Sequence, residues 1–337
     1  MKVLYAIQGT GNGHLSRARD IIPALQRKNV ELDILVSGTQ ADIKLPYPIK
    51  YQLSGWSFIF GKKGGVDMWR TYLKTNAARI NKEIKSIPVA EYDLVINDFE
   101  PISAWACKTK NLPCVALSHQ SAVLSRYAPK PKQKDHLGKI ILEKYAPSTS
   151  QYGFHFKNYD DNIFTPIIRQ DVRSIKTTPG EHYTVYLPSY SDEKILKMLS
   201  NIKDVKWQVF SKHNQKEFIS KDITISPITN EAFVHSMADS KGVLCGAGFE
   251  TPAEALYMQK KLLVIPMKGQ YEQQCNAAAL KDMGVPVVKS LKIKHLDKIK
   301  NWVYTDTKID VNYPDLTDEI IESVLEESLT FKKDKQF

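Results

Sequence analysis

Two stretches of this chain combine residue types that can seat an anion and move a proton. The first is Val243–Ala279, VLCGAGFETPAEALYMQKKLLVIPMKGQYEQQCNAAA. An apolar strand end, Gly242-Val243-Leu244-Cys245, breaks there into a glycine turn, Gly246-Ala247-Gly248, and a helix follows from about Thr251 to Met258. A second buried strand, Leu262–Ile265, closes on Pro266, and a polar loop opens another helix at about Cys275. Each strand-to-helix junction leaves backbone N–H groups without intrahelical partners, so two side by side make one anion seat. Glu254 falls one turn inside the first helix, and Glu272-Gln273 stand at the mouth of the second. Such a site suits a phosphorylated ligand rich in hydroxyls, as a nucleotide-sugar is.

The second stretch is Gly9–His14, GTGNGH, between a strand and a helix. It departs from the dinucleotide fingerprint because its third glycine comes one residue early. The next strand also ends in Val36-Ser37-Gly38, without the acid that would hold an adenosine ribose. No G-K-[ST] follows, which excludes a phosphate P-loop. What is left is a tight loop that brings Gly11, Asn12 and Gly13 close to a ligand and sets His14 at a helix start. The positive helix end disfavours a second proton on that ring and keeps it a base near neutral pH. A plain tight turn capped by His14 would use the same residues without any chemistry. A working base needs an orienting carboxylate, and Asp98, at the end of the buried strand Leu94–Asn97, is placed for it. Asp98 would equally cap the helix that follows. His119, at another strand end, competes as base or as a wall of the pocket, and Glu100 is a further carboxylate.

The elements that must position these groups alternate strand and helix. Strands are expected at Val3–Ile7, Glu31–Ser37, Tyr92–Asp98, Pro113–His119 and Gln151–Phe156, with helices over Leu15–Lys28, Met68–Ser86, Ile102–Lys110 and Leu137–Tyr145. Pro23 is expected to bend the first helix or shorten its start. After a segment of little periodicity, the alternation repeats with strands at His182–Pro188, Trp207–Ser211, Ile223–Ile228 and Pro286–Val288. Helices there are expected at Asp192–Ile202, Glu231–Ser240, Ile293–Val303 and, acidic and terminal, Asp315–Leu329. This predicts two α/β, doubly wound Rossmann-like domains facing a central cleft: residues 1–162, a linker 163–178, residues 179–314, and a C-terminal helix and tail 315–337.

Composition narrows the function classes. With 337 residues, 42% hydrophobic and 25% charged, the chain reads as an ordinary globular protein of two domains. No apolar run reaches the about 20 residues of a membrane span, and the N-terminus lacks a signal-peptide pattern. The four cysteines form no C-x-x-C pair, which reads as reduced thiols of a cytosolic protein without structural zinc. The net charge of +10 points to an anionic partner. Scattered lysines and the lack of any zinc-finger, RRM or helix-turn-helix signature argue against nucleic acid. An aromatic and basic loop (Trp56, Phe58, Phe60, Lys62, Lys63, then Trp69, Arg70, Tyr72, Lys74) suits an anionic membrane surface or a lipid-phosphate acceptor, unless its aromatics pack inward. Tyr127 with Lys130, Lys132 and Lys134 is a second basic stretch.

Taken together, Gly248-Phe249-Glu250-Thr251-Pro252-Ala253-Glu254, Pro266 and Glu272-Gln273-Gln274-Cys275-Asn276-Ala277 resemble the G-W-N-S-x-x-E … P … D-Q-x-x-N-A signature of inverting GT-B glycosyltransferases. Order and spacing agree over roughly thirty residues. GTGNGH resembles the G-G-T-G-G-H loop of the membrane-associated GlcNAc transferase of peptidoglycan synthesis. YDLVINDFEP…NLPCVALSH resembles that family's strand–helix–strand core. The resemblance implies transfer of a hexose or N-acetylhexosamine from a nucleoside diphosphate sugar, with UDP as the expected carrier. The acceptor would be a hydroxyl of a lipid-linked, glycan or small-molecule substrate. Glu254 would grip the ribose, and backbone around Gly246, Ala247, Gly248, Phe249, Glu250 and Thr251 would seat the diphosphate. Glu272, Gln273 and Asn276 would line the sugar site, and His14 with Asp98 would deprotonate the acceptor. No metal or cofactor would be needed, and the enzyme would be cytoplasmic, with peripheral contact at the inner face of the membrane. Two positions depart from the signature: Glu250 puts a carboxylate where a diphosphate would lie, and Glu272 is one methylene longer than the usual aspartate. The same fold also carries nucleotide-sugar 2-epimerases, and a non-catalytic nucleotide-sugar-binding protein would share the donor seat.

Overall fold

The computed structural model describes residues 1–38, 45–56, 60–61, 65–66, 76–133 and 135–333. Phe58, Lys62, Lys63, Trp69, Arg70, Tyr72, Lys74 and Lys134, the Phe60 side chain and the start of the helix expected from Met68 lie outside that description.

The first half runs β1 (Lys2–Gln8), α1 (Asn12–Arg27), β2 (Glu31–Ser37), β3 (Tyr51–Leu53), β4 (Phe60–Gly61), β5 (Gly65–Val66) and α2 (Ala77–Ser86). It continues with β6 (Leu94–Asp98), α3 (Pro101–Thr109), β7 (Val115–Ser118), α4 (His119–Leu124), α5 (His136–Tyr145), β8 (Ser150–Phe154) and β9 (Ile163–Phe164). Apart from the small β4–β5 ladder, its strands form one parallel sheet in the order β3-β2-β1-β6-β7-β8-β9. Val3 to Ile7 and Leu94 to Ile96 are buried on both faces, the reason they read as unbroken apolar runs rather than alternating ones.

A short helix, α6 (Gln170–Arg173), leads to β10 (His182–Tyr186), α7 (Asp192–Leu199), β11 (Lys206–Ser211), β12 (Phe218–Ser220), β13 (Ile223–Pro227) and α8 (Asn230–Ala238). Then come β14 (Ser240–Gly246), α9 (Glu250–Tyr257), β15 (Lys261–Ile265), α10 (Tyr271–Asp282), α11 (Leu296–Tyr304) and α12 (Thr317–Lys333). The second sheet is ordered β12-β13-β11-β10-β14-β15, parallel except for the β12 edge. In both sheets the chain winds outward in two directions from one strand, β1 in the first and β10 in the second. Ligands collect where the C-terminal strand ends meet such a switch point, and there stand the GTGNGH loop, Asp98 and the turn after Gly246.

Several expected bounds shift. The first helix begins at Asn12 rather than Leu15 and carries Pro23 in its interior. The segment expected as a linker opens with β9, which pairs with β8. Pro286–Val288 forms only a single bridge, Val287 to Val264. α12 returns to the first domain: Ile320, Ile321 and Val324 are buried in one cluster with Ile21 and Leu25 of α1, and Arg27 pairs with Asp318 at 2.8 Å. All four cysteines are buried, free thiols. No helix among the described residues is long and apolar enough to cross a membrane.

Where α1 meets α6, Asp20 accepts from the Gln170 amide at 3.3 Å with Asp171 and Asp315 close by. Burial, reinforced by those two carboxylates, pushes Asp20 up to about 6. The folded state therefore takes up a proton that the unfolded chain releases near pH 4, and this contribution to stability falls away as pH rises towards 6. Asp20→Asn is expected to raise the urea denaturation midpoint at pH 8 relative to wild type, with a smaller effect at pH 5.

Candidate active site in the interdomain cleft

Between the two sheets lies a cleft of about 1480 Å³ lined from both domains. On the first-domain wall, α1 opens at Asn12 with Gly11 extended at its N-cap, which offers no capping side chain. His14 falls in the first turn, and its Nδ1 lies 2.8 Å from Asp98 Oδ1. Parallel pairing of β1 with β6 sets Ile7 opposite Asp98, so loop and carboxylate emerge at one sheet edge. Nδ1–H donates to the carboxylate, which fixes the tautomer that leaves Nε2 free to accept a proton. The His14 side chain is 14% exposed and Asp98 fully buried. Burial alone would raise Asp98, but Arg17 and His14 overcome it and hold the carboxyl below the usual carboxylate range. Phe99 follows with φ +57°, a left-handed turn unusual for a bulky residue, and its ring lies parallel to His14.

Glu100, a rival carboxylate in the sequence, is fully buried and caps α3, accepting from the Ile102 and Ser103 amides at 2.7 and 2.6 Å. The helix cap that the sequence also allowed for Asp98 is supplied by Glu100.

His119 is the first residue of α4, behind a Ser118 cap, rather than a strand end. Both its nitrogens are engaged, Nδ1 with the Phe154 carbonyl at 2.7 Å and Nε2 with Asn276 Oδ1 at 2.8 Å. Its ring stacks on Phe249 at 3.9 Å. That leaves it no nitrogen for an acceptor hydroxyl, and it forms a wall between the domains. Asn276, fully buried, completes that wall by donating to the Ala247 carbonyl at 3.2 Å.

On the second-domain wall, α9 begins at Glu250 behind Phe249, and α10 begins at Tyr271 behind Gln270; neither helix has a capping side chain. Gly248, Phe249, Glu250, Thr251, Glu254, Glu272 and Gln273 line the cleft. Gly246 and Ala247 stand behind them. Glu254 is 3% exposed, and its Oε1 accepts from Arg169 Nε at 2.6 Å. Burial raises Glu254, with Arg169 opposing. Glu272 Oε2 accepts from Gln120 at 3.1 Å, and Gln273 Oε1 accepts from the Met267 amide at 2.8 Å. The pocket extends past Ser189–Ser191, Lys212–Gln215 and Ile228–Asn230, segments in which the sequence carries no recognisable site motif. Among the described residues no cluster of three or more His, Cys, Asp or Glu is placed to hold a metal.

Arg17 is not evident from the sequence, and neither is the partner of Glu250. Arg17, 2% exposed, donates through Nη2 to both Asp98 oxygens at 2.7 and 2.8 Å, and through Nη1 to Glu250 Oε1 across the cleft. Its one signal is the i, i+3 spacing from His14, which puts both on one helix face. Glu250 thus turns towards the opposite domain. Partial burial pushes it up to about 7, with Arg17 opposing and Glu254 and Asp98 adding to the rise. A Cβ at Gly13 would come within 3.1 Å of Glu250 Cγ, so the third glycine of the loop is what allows this close approach.

A family profile described as glycosyl transferase family 1 matches residues 1–305. A search of curated protein sequences finds no significant match. Among solved structures, MurG of Acinetobacter baumannii is similar at 14% identity and TM-score 0.60, covering 96% of this chain and 99% of its own. UGT89C1 of Arabidopsis thaliana, solved with UDP, is similar at 11% identity and TM-score 0.59, covering 97% and 94%. SnogD of Streptomyces nogalater gives 12% identity and TM-score 0.54, with 97% and 95% covered. At these identities the neighbours establish the two-domain GT-B architecture, and the profile establishes the family. The chain belongs to glycosyl transferase family 1 and is a glycosyltransferase of the GT-B fold.

Proposed function

We propose that the protein transfers a hexose or N-acetylhexosamine from a UDP-sugar to an acceptor hydroxyl, with inversion and without a metal. The observation that carries this reading is the His14–Asp98 pair on one wall of the cleft, opposite the uncapped start of α9 on the other. His14 Nε2 takes the acceptor proton as the oxygen attacks the anomeric carbon, and Asp98 stabilises the imidazolium that forms. The sugar–phosphate bond breaks on the opposite side, so a single displacement inverts the anomeric centre. The departing diphosphate gathers negative charge, which the free N–H groups at the starts of α9 and α10 accept in place of a cation or other cofactor. Glu254 holds ribose hydroxyls, and Glu272 and Gln273 hold the sugar. UDP as carrier is supported by the Arabidopsis neighbour's bound nucleotide.

The acceptor is lipid-linked or a glycan, and the enzyme works in the cytoplasm as a peripheral protein at the inner face of the membrane. In support, α5 turns Leu137 and Ile140 outward at 58% and 53% exposure, with exposed Tyr127 and Lys132 in the preceding loop. Lys130 takes no part, since it donates to the Ser125 and Ala128 carbonyls at 2.6 and 2.9 Å.

Incubation with a panel of UDP-, GDP- and TDP-sugars, with released nucleoside diphosphate as the readout, is expected to give turnover on a UDP-sugar that persists in EDTA. Tight binding without release from any donor would overturn the reading in favour of a nucleotide-sugar-binding protein.

A further inference from the structure

The charges around His14 alternate in a chain that crosses the cleft: Glu250, Arg17, Asp98, His14. Arg17 makes an awkward neighbour for a histidine–carboxylate base. Its guanidinium occupies both Asp98 oxygens and cancels the charge that would stabilise an imidazolium. A buried cation beside the dyad would, alone, weaken the base. Above its raised midpoint of about 7, Glu250 supplies the missing negative charge, and it comes from the other domain, at the first residue of the helix assigned to the donor diphosphate. Its bond to Arg17 also turns the carboxylate away from that anion seat.

We propose that Arg17 and Glu250 are positioning residues: Arg17 fixes Asp98 against His14, and Glu250 restores the negative charge that Arg17 removes, so that the base strength of His14 depends on contact with the donor wall. This rests on the reading of His14 as the base. The other titratable groups facing the chain are Tyr5 on β1, near Asp98, Arg17 and Glu250, and Glu254 and Arg169 beside Glu250. His119 faces Arg17 from α4. None of these forms a hydrogen bond to His14, Arg17 or Glu250 among the described residues.

The test is the NMR titration of the His14 ring in the apo protein, assigned by its loss in His14→Ala, in Glu250→Gln, Arg17→Met and the double variant. Glu250 is only partly ionised where an imidazole titrates, so Glu250→Gln, which leaves Arg17 uncompensated, is expected to move the His14 midpoint down by up to about half a pH unit. Arg17→Met leaves Asp98 and Glu250 together and is expected to move it up by a similar amount. The double variant, with Asp98 as the remaining charge, is expected to return close to wild type. A purely structural tie would change melting curves without opposed and cancelling shifts. Unchanged midpoints in folded Glu250→Gln, or shifts of one sign in both single variants, would overturn the proposal. Should Arg17→Met not accumulate as folded protein, Glu250→Gln against Glu250→Asp decides, since aspartate retains the charge and is expected to hold the wild-type midpoint. Failure of the base reading is seen separately, as turnover on UDP-sugar that survives His14→Ala while the midpoint shifts persist.

Discussion

Replacing His14 with alanine is expected to lower turnover on the UDP-sugar by about a hundredfold to ten-thousandfold while leaving UDP affinity unchanged. The two effects separate because the groups sit on different walls: His14 belongs to α1, whereas the diphosphate and ribose are assigned to α9 and α10. Folding is expected to survive the change. His14 is partly exposed, and Asp98 keeps both hydrogen bonds from Arg17 once the imidazole is gone, so no buried carboxylate is orphaned. Asp98→Asn is a poorer probe, because it strips Arg17 of its fully buried partner and mixes a folding defect with a kinetic one. Steady-state kinetics and calorimetry with UDP check the prediction together. Turnover within tenfold of wild type would remove His14 from the mechanism, and loss of UDP binding would mean that the first-domain loop also seats the donor.

How far the sequence alone reaches is clear from the same residues. The buried strands Val3–Ile7 and Leu94–Ile96 were legible because parallel strands covered on both faces leave continuous apolar runs. His14 and Asp98 were legible as partners because the loop leading from β1 into α1 and the end of β6 emerge at one sheet edge where ligands collect. Arg17 was not, since an arginine on a helix is usually solvated and only its three-residue distance from His14 places it on the same face. Glu250 was visible as an anomaly beside an anion seat, but its partner lies 233 positions away, and that pairing depends on how the two domains face each other. Arg169 lies in the segment of little periodicity read as linker, where no pattern marks a buried guanidinium. Asn276 shows the converse. The signature assigns it to the sugar site, yet its side chain is spent on His119 and the Ala247 carbonyl, so it supports that wall without lining it. Motif spacing reports that a residue is constrained; only packing tells whether the constraint is a ligand or a neighbour.

Glu254 carries both kinds of constraint, and separating them gives the second large expected effect. Its Oε1 is committed to Arg169 Nε, and the same guanidinium donates to Asn230 Oδ1 at 2.7 Å. The carboxylate thereby ties the segment between the sheets to the donor wall. Glu254→Ala takes away the buried partner of Arg169 and leaves it only the half-exposed Asp171 at 3.4 Å, a loss expected to be about 3 kcal/mol in urea denaturation, the lower end for a broken buried pair. Glu254→Gln keeps the shape and an acceptor oxygen for Arg169, so it is expected to stay folded, but it gives up the charge on the oxygen left for ribose. Charge-assisted hydrogen bonds are worth about 1.5–3 kcal/mol, so UDP affinity measured by calorimetry is expected to fall by about tenfold to a hundredfold. Arg169→Met removes the opposing charge. Burial already raises Glu254, and Arg169 is the charge that restrains the rise. Without it the carboxyl holds its proton to higher pH, so UDP binding in Arg169→Met is expected to weaken with falling pH sooner than in wild type and to recover as pH rises. Wild-type UDP affinity in Glu254→Gln at every pH would leave Glu254 as a structural tie and move the ribose site elsewhere in the cleft.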